Sequence, residues 1–471
     1  MRDHLAFCLL PLLLAACKSE ATPATPDAGD VDAGPTWLGD AGLVVRPPID
    51  KPLHEICGIA SNPGDLPLGG DPTSTFLRQG YLNAALDLGG VMIRRDFRWF
   101  EIEATKGTFD FTTHDRLVDE AQTKKVRLLG SLLYGTPWAT TQPNGDEYFP
   151  PDDPADFGAY AKAVATRYAG KVSAWEVWNE PNNGFRFWKT QLSGDPAAYA
   201  KLLGIAYAEV HAADPNATVL LGGTVFTGQL IDGAMTFLGK AYEAQPDLAK
   251  SFDVAGIHTY PAYPPTRAPE YGEGNDPPLE AKLQMHAWLL AQHGGAGKPM
   301  WITELGWPTS GSIDQAVQAR FLVRATILAA YAGAGGIFWY TLRDGPHPEA
   351  FPPEDAFGLL GNDQDPGASK EATPKRAYTA LKALLAITGE RHPLAAAAKI
   401  EGLPDDARAI RFGGGGAKDL VALWTVTTQD AEVTWGDAPA SVHDELGVQT
   451  GAVATGGQLH VGPDVTYVVI E

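Results

Sequence analysis

The stretch Val172-Ser173-Ala174-Trp175-Glu176-Val177-Trp178-Asn179-Glu180-Pro181 reads as a strand that stops at a proline. Valines and tryptophans suit a pleated, buried surface, and Pro181 has no backbone N–H to give to a ladder. Helical patterns flank it, Pro154–Tyr168 before and Pro196–Ala212 after, each with apolar residues three and four positions apart. A strand between two amphipathic helices is the repeating unit of a parallel sheet, and period two along it predicts Glu176, Trp178 and Glu180 on one face.

The same alternation runs outward from about Leu53 to Gly389. Seven further runs read as strands: Ile56–Ala60, Val91–Phe97, Val126–Tyr134, Thr218–Gly223, Phe252–Tyr260, Pro299–Glu304 and Gly335–Tyr340. Other helical segments include Ile313–Ala332 and, last, Pro374–Ile387. Eight strands with intervening helices predict an α/β fold, a closed (β/α)8 TIM barrel. A doubly wound open sheet is the alternative, and it would be favoured by a glycine fingerprint after the first strand, which this chain lacks. Beyond the last helix, β-branched runs such as Leu420–Thr427 and Val465–Ile470 predict a small all-β, sandwich-like module, with Gly413–Gly416 as a hairpin loop between strands.

The N-terminus has a different character. Arg2 precedes the apolar run Leu9-Leu10-Pro11-Leu12-Leu13, and Leu14-Ala15-Ala16-Cys17 ends in small residues and a cysteine. This is the charged start, apolar centre and cleavage site of a signal peptide, and it resembles a bacterial lipobox. The resemblance implies cleavage before Cys17, lipidation of its sulfur, and a place in the cell envelope, periplasmic or surface-exposed, anchored to a membrane. From Lys18 to about Asp50 the chain is Ala, Thr, Pro, Asp and Gly with few large apolar residues, the composition of a tether. The expected organisation is therefore 1–16 signal peptide, 17–50 disordered lipid-anchored linker, 51–390 barrel and 391–471 β module. Cys57 reads as a small core residue rather than a nucleophile.

With 57 acidic against 36 basic side chains the net charge is −21, which repels nucleic acid phosphates and anionic lipid headgroups. The 11 histidines form neither a His-x-His pair nor a His-Glu-x-x-His helix, so no metal is expected. Ala296-Gly297-Lys298-Pro299 fails as a phosphate loop, because Gln292 stands at its first glycine and Pro299 where a hydroxyl must hold magnesium. No Gly-x-Ser-x-Gly elbow is present. No cofactor is expected.

A barrel places its chemistry at the C-terminal ends of its strands. Glu180 closes the fourth, and Glu304 closes the seventh in Trp301-Ile302-Thr303-Glu304-Leu305-Gly306-Trp307. Two carboxyl groups about 5 to 5.5 Å apart can cleave a glycosidic bond with retention, one giving a proton to the leaving oxygen and the other attacking the anomeric carbon. At this point the chain resembles the clan A glycoside hydrolases, through Trp178-Asn179-Glu180-Pro181 together with Thr303-Glu304. Families 39 and 5 are closest in character, since the likeness extends to Ile93-Arg94-Arg95-Asp96-Phe97-Arg98-Trp99 and Gly107-Thr108-Phe109-Asp110-Phe111, and covers roughly residues 53 to 389.

The resemblance implies Glu180 as acid/base, Glu304 as nucleophile, and Asn179 as the amide that bonds the sugar 2-hydroxyl. It implies Arg94 near the nucleophile, with adjacent Arg95 as the alternative, Tyr260 donating to Glu304, and His258 lining the sugar site. Trp339, at the end of the eighth strand, is the expected floor under the reacting sugar. Tyr134, Trp138 and Trp188 lie in loops that could extend the cleft, or could be packing residues, since a pyranose face stacks on aromatic rings. The expected protein is a monomeric retaining glycosidase acting on a carbohydrate, and its rival is a surface lipoprotein that binds polysaccharide without turnover. The sugar is not written in the sequence, nor is whether cleavage falls within chains or at their ends: Asn182-Asn183-Gly184-Phe185-Arg186-Phe187-Trp188 after the fourth strand could wall off a pocket or line an open groove.

Overall fold

The computed structural model describes residues 44–61, 68–142, 145–190, 194–226, 233–262, 265–273, 276–345, 353–361, 372–427 and 429–471. The expected signal peptide and Cys17 lie outside the described residues. Among those described, no helix is long and apolar enough to cross a membrane.

Eight parallel strands close into a barrel in chain order: β1 Cys57–Ala60, β2 Met92–Arg98, β3 Leu128–Leu133, β4 Ala174–Val177, β5 Thr218–Val225, β6 Val254–His258, β7 Met300–Leu305 and β8 Gly336–Tyr340. The expected TIM barrel is thus the observed one. Three of the surrounding helices begin at an Asp-Pro pair, Asp71-Pro72, Asp153-Pro154 and Asp195-Pro196. In each the carboxylate accepts from a backbone N–H of the first turn, and proline occupies a position whose N–H the helix does not use.

Inside the barrel Ala60, Met92, Leu129, Ala174, Leu220, Val254 and Phe338 form a dry layer, separate from the larger core between strands and helices. Burial also holds Cys57 inert, pushing its thiol up to about 12 against a smaller opposing pull from Arg127.

After the last barrel helix, Arg376–Thr388, come β9 His392–Pro393, β10 Ile400–Glu401, β11 Ala407–Gly413, β12 Leu420–Thr425, β13 Ala431–Trp435, β14 Ala440–His443, β15 Gln449–Val453, β16 Gln458–Val461 and β17 Thr466–Ile470. They build a six-stranded sheet, β15-β14-β17-β12-β11-β9, and a three-stranded one, β10-β13-β16. Gly413–Gly416 begins the connection of the antiparallel β11–β12 hairpin, as expected. Along β12, Val421 and Leu423 join the core between the sheets, while Leu420, Ala422 and Trp424 join the barrel's outer core. A strand covered on both faces reads as an unbroken apolar run. Arg324, on the barrel helix Gln315–Tyr331, rivets the two parts: it donates to the carbonyls of Thr425 (2.6 Å), Val426 (3.3 Å) and Pro463, and pairs with Glu270, which also accepts from the Trp424 indole at 2.8 Å.

Residues 44–50 correct the expectation that the tether reaches Asp50. Val44 and Ile49 pack on the outer core, Arg46 donates to the Lys298 carbonyl at 2.6 Å, and the Ile49 N–H donates to Ala330 at 2.9 Å. Apolar side chains and a guanidinium that caps free carbonyls suffice to dock this short segment at the end of the barrel where β7 and β8 begin.

Candidate active site

β4 ends at Val177, and the backbone then leaves the sheet. Trp178 and Glu180 have φ of 70° and 44°, the left-handed region that side chains other than glycine rarely adopt. The expected alternation through Glu180 therefore stops early. Glu176 points into the barrel, whereas Trp178 is buried in the outer core, its indole donating to the Phe187 carbonyl (2.7 Å) and lying edge-on to Trp188 at 4.8 Å. These two turns, not strand periodicity, lift Asn179 and Glu180 to the mouth, and the Glu180 N–H is tied to the Gly223 carbonyl at 3.0 Å. Such backbone costs about 1–3 kcal/mol per residue and persists only where the surroundings fix it.

Glu304 reaches the site through an irregularity of a different kind. The register of β7 shifts against both neighbours near its end. Adjacent Thr303 and Glu304 consequently both serve the site, Thr303 donating to Glu176 at 2.7 Å and Glu304 standing above it.

Arg94 is the hub. Its Nε donates to Glu176 (2.6 Å), one terminal nitrogen to Glu304 (2.5 Å) and the other to Asn179 Oδ1 (2.9 Å). Burial works against the guanidinium charge, but Glu176, Glu304 and Asp96 outweigh it, so Arg94 stays ionised. Adjacent Arg95 takes no part in this network. Glu176 is fully buried and accepts also from Ser131 (3.1 Å) and the Gly223 N–H (3.0 Å). Burial would raise its pKa, yet the charges of Arg94 and His258 and the bonds from Thr303 and Arg94 hold it below the usual carboxylate range.

At the mouth, His258 Nδ1 lies 2.9 Å from Glu180 Oε1 and 3.8 Å from Glu304 Oε2. Tyr260 donates to Glu304 Oε2 at 3.1 Å, and Asn183 to Glu180 Oε2 at 2.9 Å. Gly223 leaves room for the imidazole, since a Cβ there would fall 2.3 Å from its ring. Burial opposes the His258 charge, but Glu304 and Glu180 outweigh it and raise its pKa. Burial likewise raises Glu180, and the His258 hydrogen bond and charge, with Asn183 and Arg186, bring it below its ordinary value. Both shifts favour the proton of this pair on the imidazole. Burial and Glu304 keep the Tyr260 phenol protonated, as a donor.

One donor atom each from Glu180, His258 and Glu304 lie within 4.8 Å of one another. The nearest ligand atoms of the two carboxyl groups are thus close enough for both residues to reach one bound sugar unit. The same atoms form a cluster of metal-type donors, but the permanent charge of Arg94 on Glu304 opposes a second cation there.

The cleft holds about 530 Å3. Of the residues singled out from sequence, Arg94, Asn179, Glu180, Tyr260, Glu304 and Tyr134 line it, with His258 just behind Glu180. The tryptophans do not. Trp339 points outward from β8, stacks near Trp307 and donates to the Phe357 carbonyl at 3.0 Å; period two gives the inward place to Tyr340, which lines the cleft. Trp138 packs edge-on against Trp99, and Trp188 is fully buried behind Trp178, propping the segment that carries Asn183, Arg186 and Phe187. Asn183, Arg186 and Phe187, from the run 182–188 that follows the fourth strand, line the cleft, whereas sequence reasoning assigned no part in the site to Glu176, Tyr148 or Tyr340. Only Glu176 had a signal, a carboxylate on the inward face of a strand with no solvent to reach.

The Glycosyl hydrolase family 10 model matches residues 82–221, a segment that holds β2 to β4, Asn179 and Glu180 but not Glu304. Endo-1,4-beta-xylanase C of Phanerodontia chrysosporium is 25% identical over 208 residues, 42% of this chain and 49% of that protein. Endo-1,4-beta-xylanase 3 of Hypocrea jecorina is 26% identical over 233 residues, 47% of this chain and 62% of that protein. The chain thus spans about half to three-fifths of the length of these curated relatives. In structure, a family 39 glycoside hydrolase from the gut symbiont Bacteroides cellulosilyticus WH2 superposes with a TM-score of 0.68 at 22% identity, over 91% of this chain and 83% of that one. A GH39 beta-xylosidase from Caulobacter crescentus does so with a TM-score of 0.60 at 18% identity, over 91% and 98%. In matched segment and in fold, this chain is similar to the clan A glycoside hydrolases.

Proposed function

We propose that this chain is a glycoside hydrolase that cleaves glycosidic bonds in a polysaccharide or oligosaccharide by double displacement. The observation that carries the reading is the pair Glu180 and Glu304, set over a cleft at the C-terminal ends of the strands with carboxylate oxygens within 4.8 Å. Glu304 attacks the anomeric carbon as the bond to the leaving oxygen breaks, and Glu180 gives that oxygen its proton, forming a glycosyl-enzyme. Glu180, now a carboxylate, takes a proton from water; the resulting hydroxide displaces Glu304 from the sugar and restores the starting state. The hydrogen bond between His258 Nδ1 and Glu180 Oε1, 2.9 Å long, is the path by which the pair's proton reaches Glu180, where the first step needs it. Arg94 and Tyr260 hold Glu304 in line, and Asn179, fixed by Arg94, faces the sugar's 2-hydroxyl. Xylose-based β-1,4 glycans are the first substrates to test, because the curated relatives are named as endo-1,4-beta-xylanases.

Action as a monomer is supported by the fold neighbour described as a monomeric beta-xylosidase from Caulobacter crescentus. On the reading of Leu14-Ala15-Ala16-Cys17 as a lipobox, the enzyme is held at the cell envelope through Cys17, the signal peptide 1–16 having been removed.

The test is turnover of aryl β-xylosides, β-glucosides and α-arabinofuranosides by wild type, Glu180→Ala and Glu304→Ala. Glu304→Ala is expected to lose at least about 10^4-fold in turnover, and Glu180→Ala about 10^2 to 10^4-fold, less with an activated leaving group and partly restored by azide as a glycosyl azide. Polysaccharide binding that survives both substitutions, with no turnover by wild type, would establish a binding protein instead.

A further inference from the structure

The described lining of the cleft draws on the whole ring. Each barrel strand, or the connection that follows it, contributes to its lining, from Ser61 after β1 through Val225 at the end of β5 to Phe357 after β8. A groove that holds the middle of a polymer needs two opposite sectors of the rim left low, so that the chain can run on in both directions. Here one pair of opposite sectors is joined instead. Arg186 follows β4 and Glu354 follows β8, strands that stand across from each other in an eight-membered ring, yet the guanidinium and carboxylate approach to 3.8 Å. Arg186 is held at this height by its own wall, lying 4.8 Å over the Phe187 ring, which in turn stacks on Tyr134 at 5.6 Å. The bridge shares the cleft with the acid/base, since Arg186, Glu354 and Glu180 all line it.

We infer that the cleft is a pocket for the end of a glycan chain, with Arg186 and Glu354 as its specificity-determining residues, so that terminal units are removed and internal bonds are spared. The inference rests on the glycosidase reading above. An exposed ion pair is weakly held, so what matters is its position: an internal segment laid across the mouth would have to part the two side chains and lift Arg186 from Phe187, whereas a chain end enters beneath them.

The experiment follows reducing-end-labelled xylohexaose, or the hexaose of whichever sugar the aryl-glycoside panel returns, by chromatography over time with the full-length protein. Wild type is expected to shorten the labelled chain one unit at a time. Glu354→Ala is expected to raise the ratio of internal to terminal cuts at least about threefold, the scale on which one exposed ion pair acts; Arg186→Ala should do the same, with an added loss of turnover because it stands beside Glu180. Labelled fragments of middle length as the first wild-type products, or an unchanged ratio in Glu354→Ala, overturn the chain-end pocket while leaving the glycosidase intact. Absence of turnover on every aryl glycoside overturns both.

Discussion

Compare two layers inside the barrel. Met92, Leu129 and Ala174 stand in the dry layer, and two residues further along the same strands come Arg94, Ser131 and Glu176. Backbone, spacing and neighbours are shared, and only the side chains differ. The lower layer stabilises by burying carbon, which needs no partner of a particular kind. The upper layer buries charge, which is tolerable only because every oxygen of Glu176 and all three guanidinium nitrogens of Arg94 are matched. One layer closes the barrel and the other uses it, so the two should respond to mutation in different currencies.

The largest effect should come from the lower layer. Phe338→Ala removes a nearly fully buried ring and is expected to cost about 3–5 kcal/mol of stability with turnover per folded molecule unchanged, read by denaturant titration alongside active-site-normalised kinetics. A fall in turnover without a fall in stability would show that the layers are not separable. Next is Glu176→Gln, which keeps the shape and removes the charge that aims Arg94. Turnover is expected to fall about 100-fold, about 2.7 kcal/mol in the barrier, with KM and the unfolding midpoint moved far less. Its acid limb should also shift in the pH profile, a change that loss of packing alone would not produce. The smallest effect is that of His258→Gln. Since Glu304 and Glu180 raise the imidazole's pKa, the pair stays protonated to higher pH than a carboxylic acid alone could hold it. Without the imidazole the alkaline limb of kcat/KM should move to lower pH, by about one unit. A limb that stays in place would mean that His258 does not carry the pair's proton.

The barrel was legible because helices and buried strands repeat on different periods, and eight alternations leave few architectures open. Glu180 and Glu304 were legible as carboxylates at strand ends. The route to them was not. Trp178 looked inward by periodicity, but two left-handed residues turned it out of the barrel, and no propensity marks a non-glycine residue that tertiary packing forces into that region. Trp339 and Tyr340 are adjacent aromatic residues on one strand, and which of them faces the cleft depends on a register that the sequence does not state. Arg186 and Glu354 are 168 positions apart and meet only because β4 and β8 are opposite in the ring, a relation that appears once the barrel is closed.

The outward placement of the indoles has an optical consequence. Among the described residues none of the tryptophans lines the cleft, whose aromatic faces belong to Tyr134, Tyr148, Tyr260, Tyr340, Phe187 and Phe357. Intrinsic emission from this protein is dominated by indole and will follow the integrity of the fold, while a sugar entering the cleft leaves it almost unchanged; occupancy should be visible instead as a tyrosine difference absorbance.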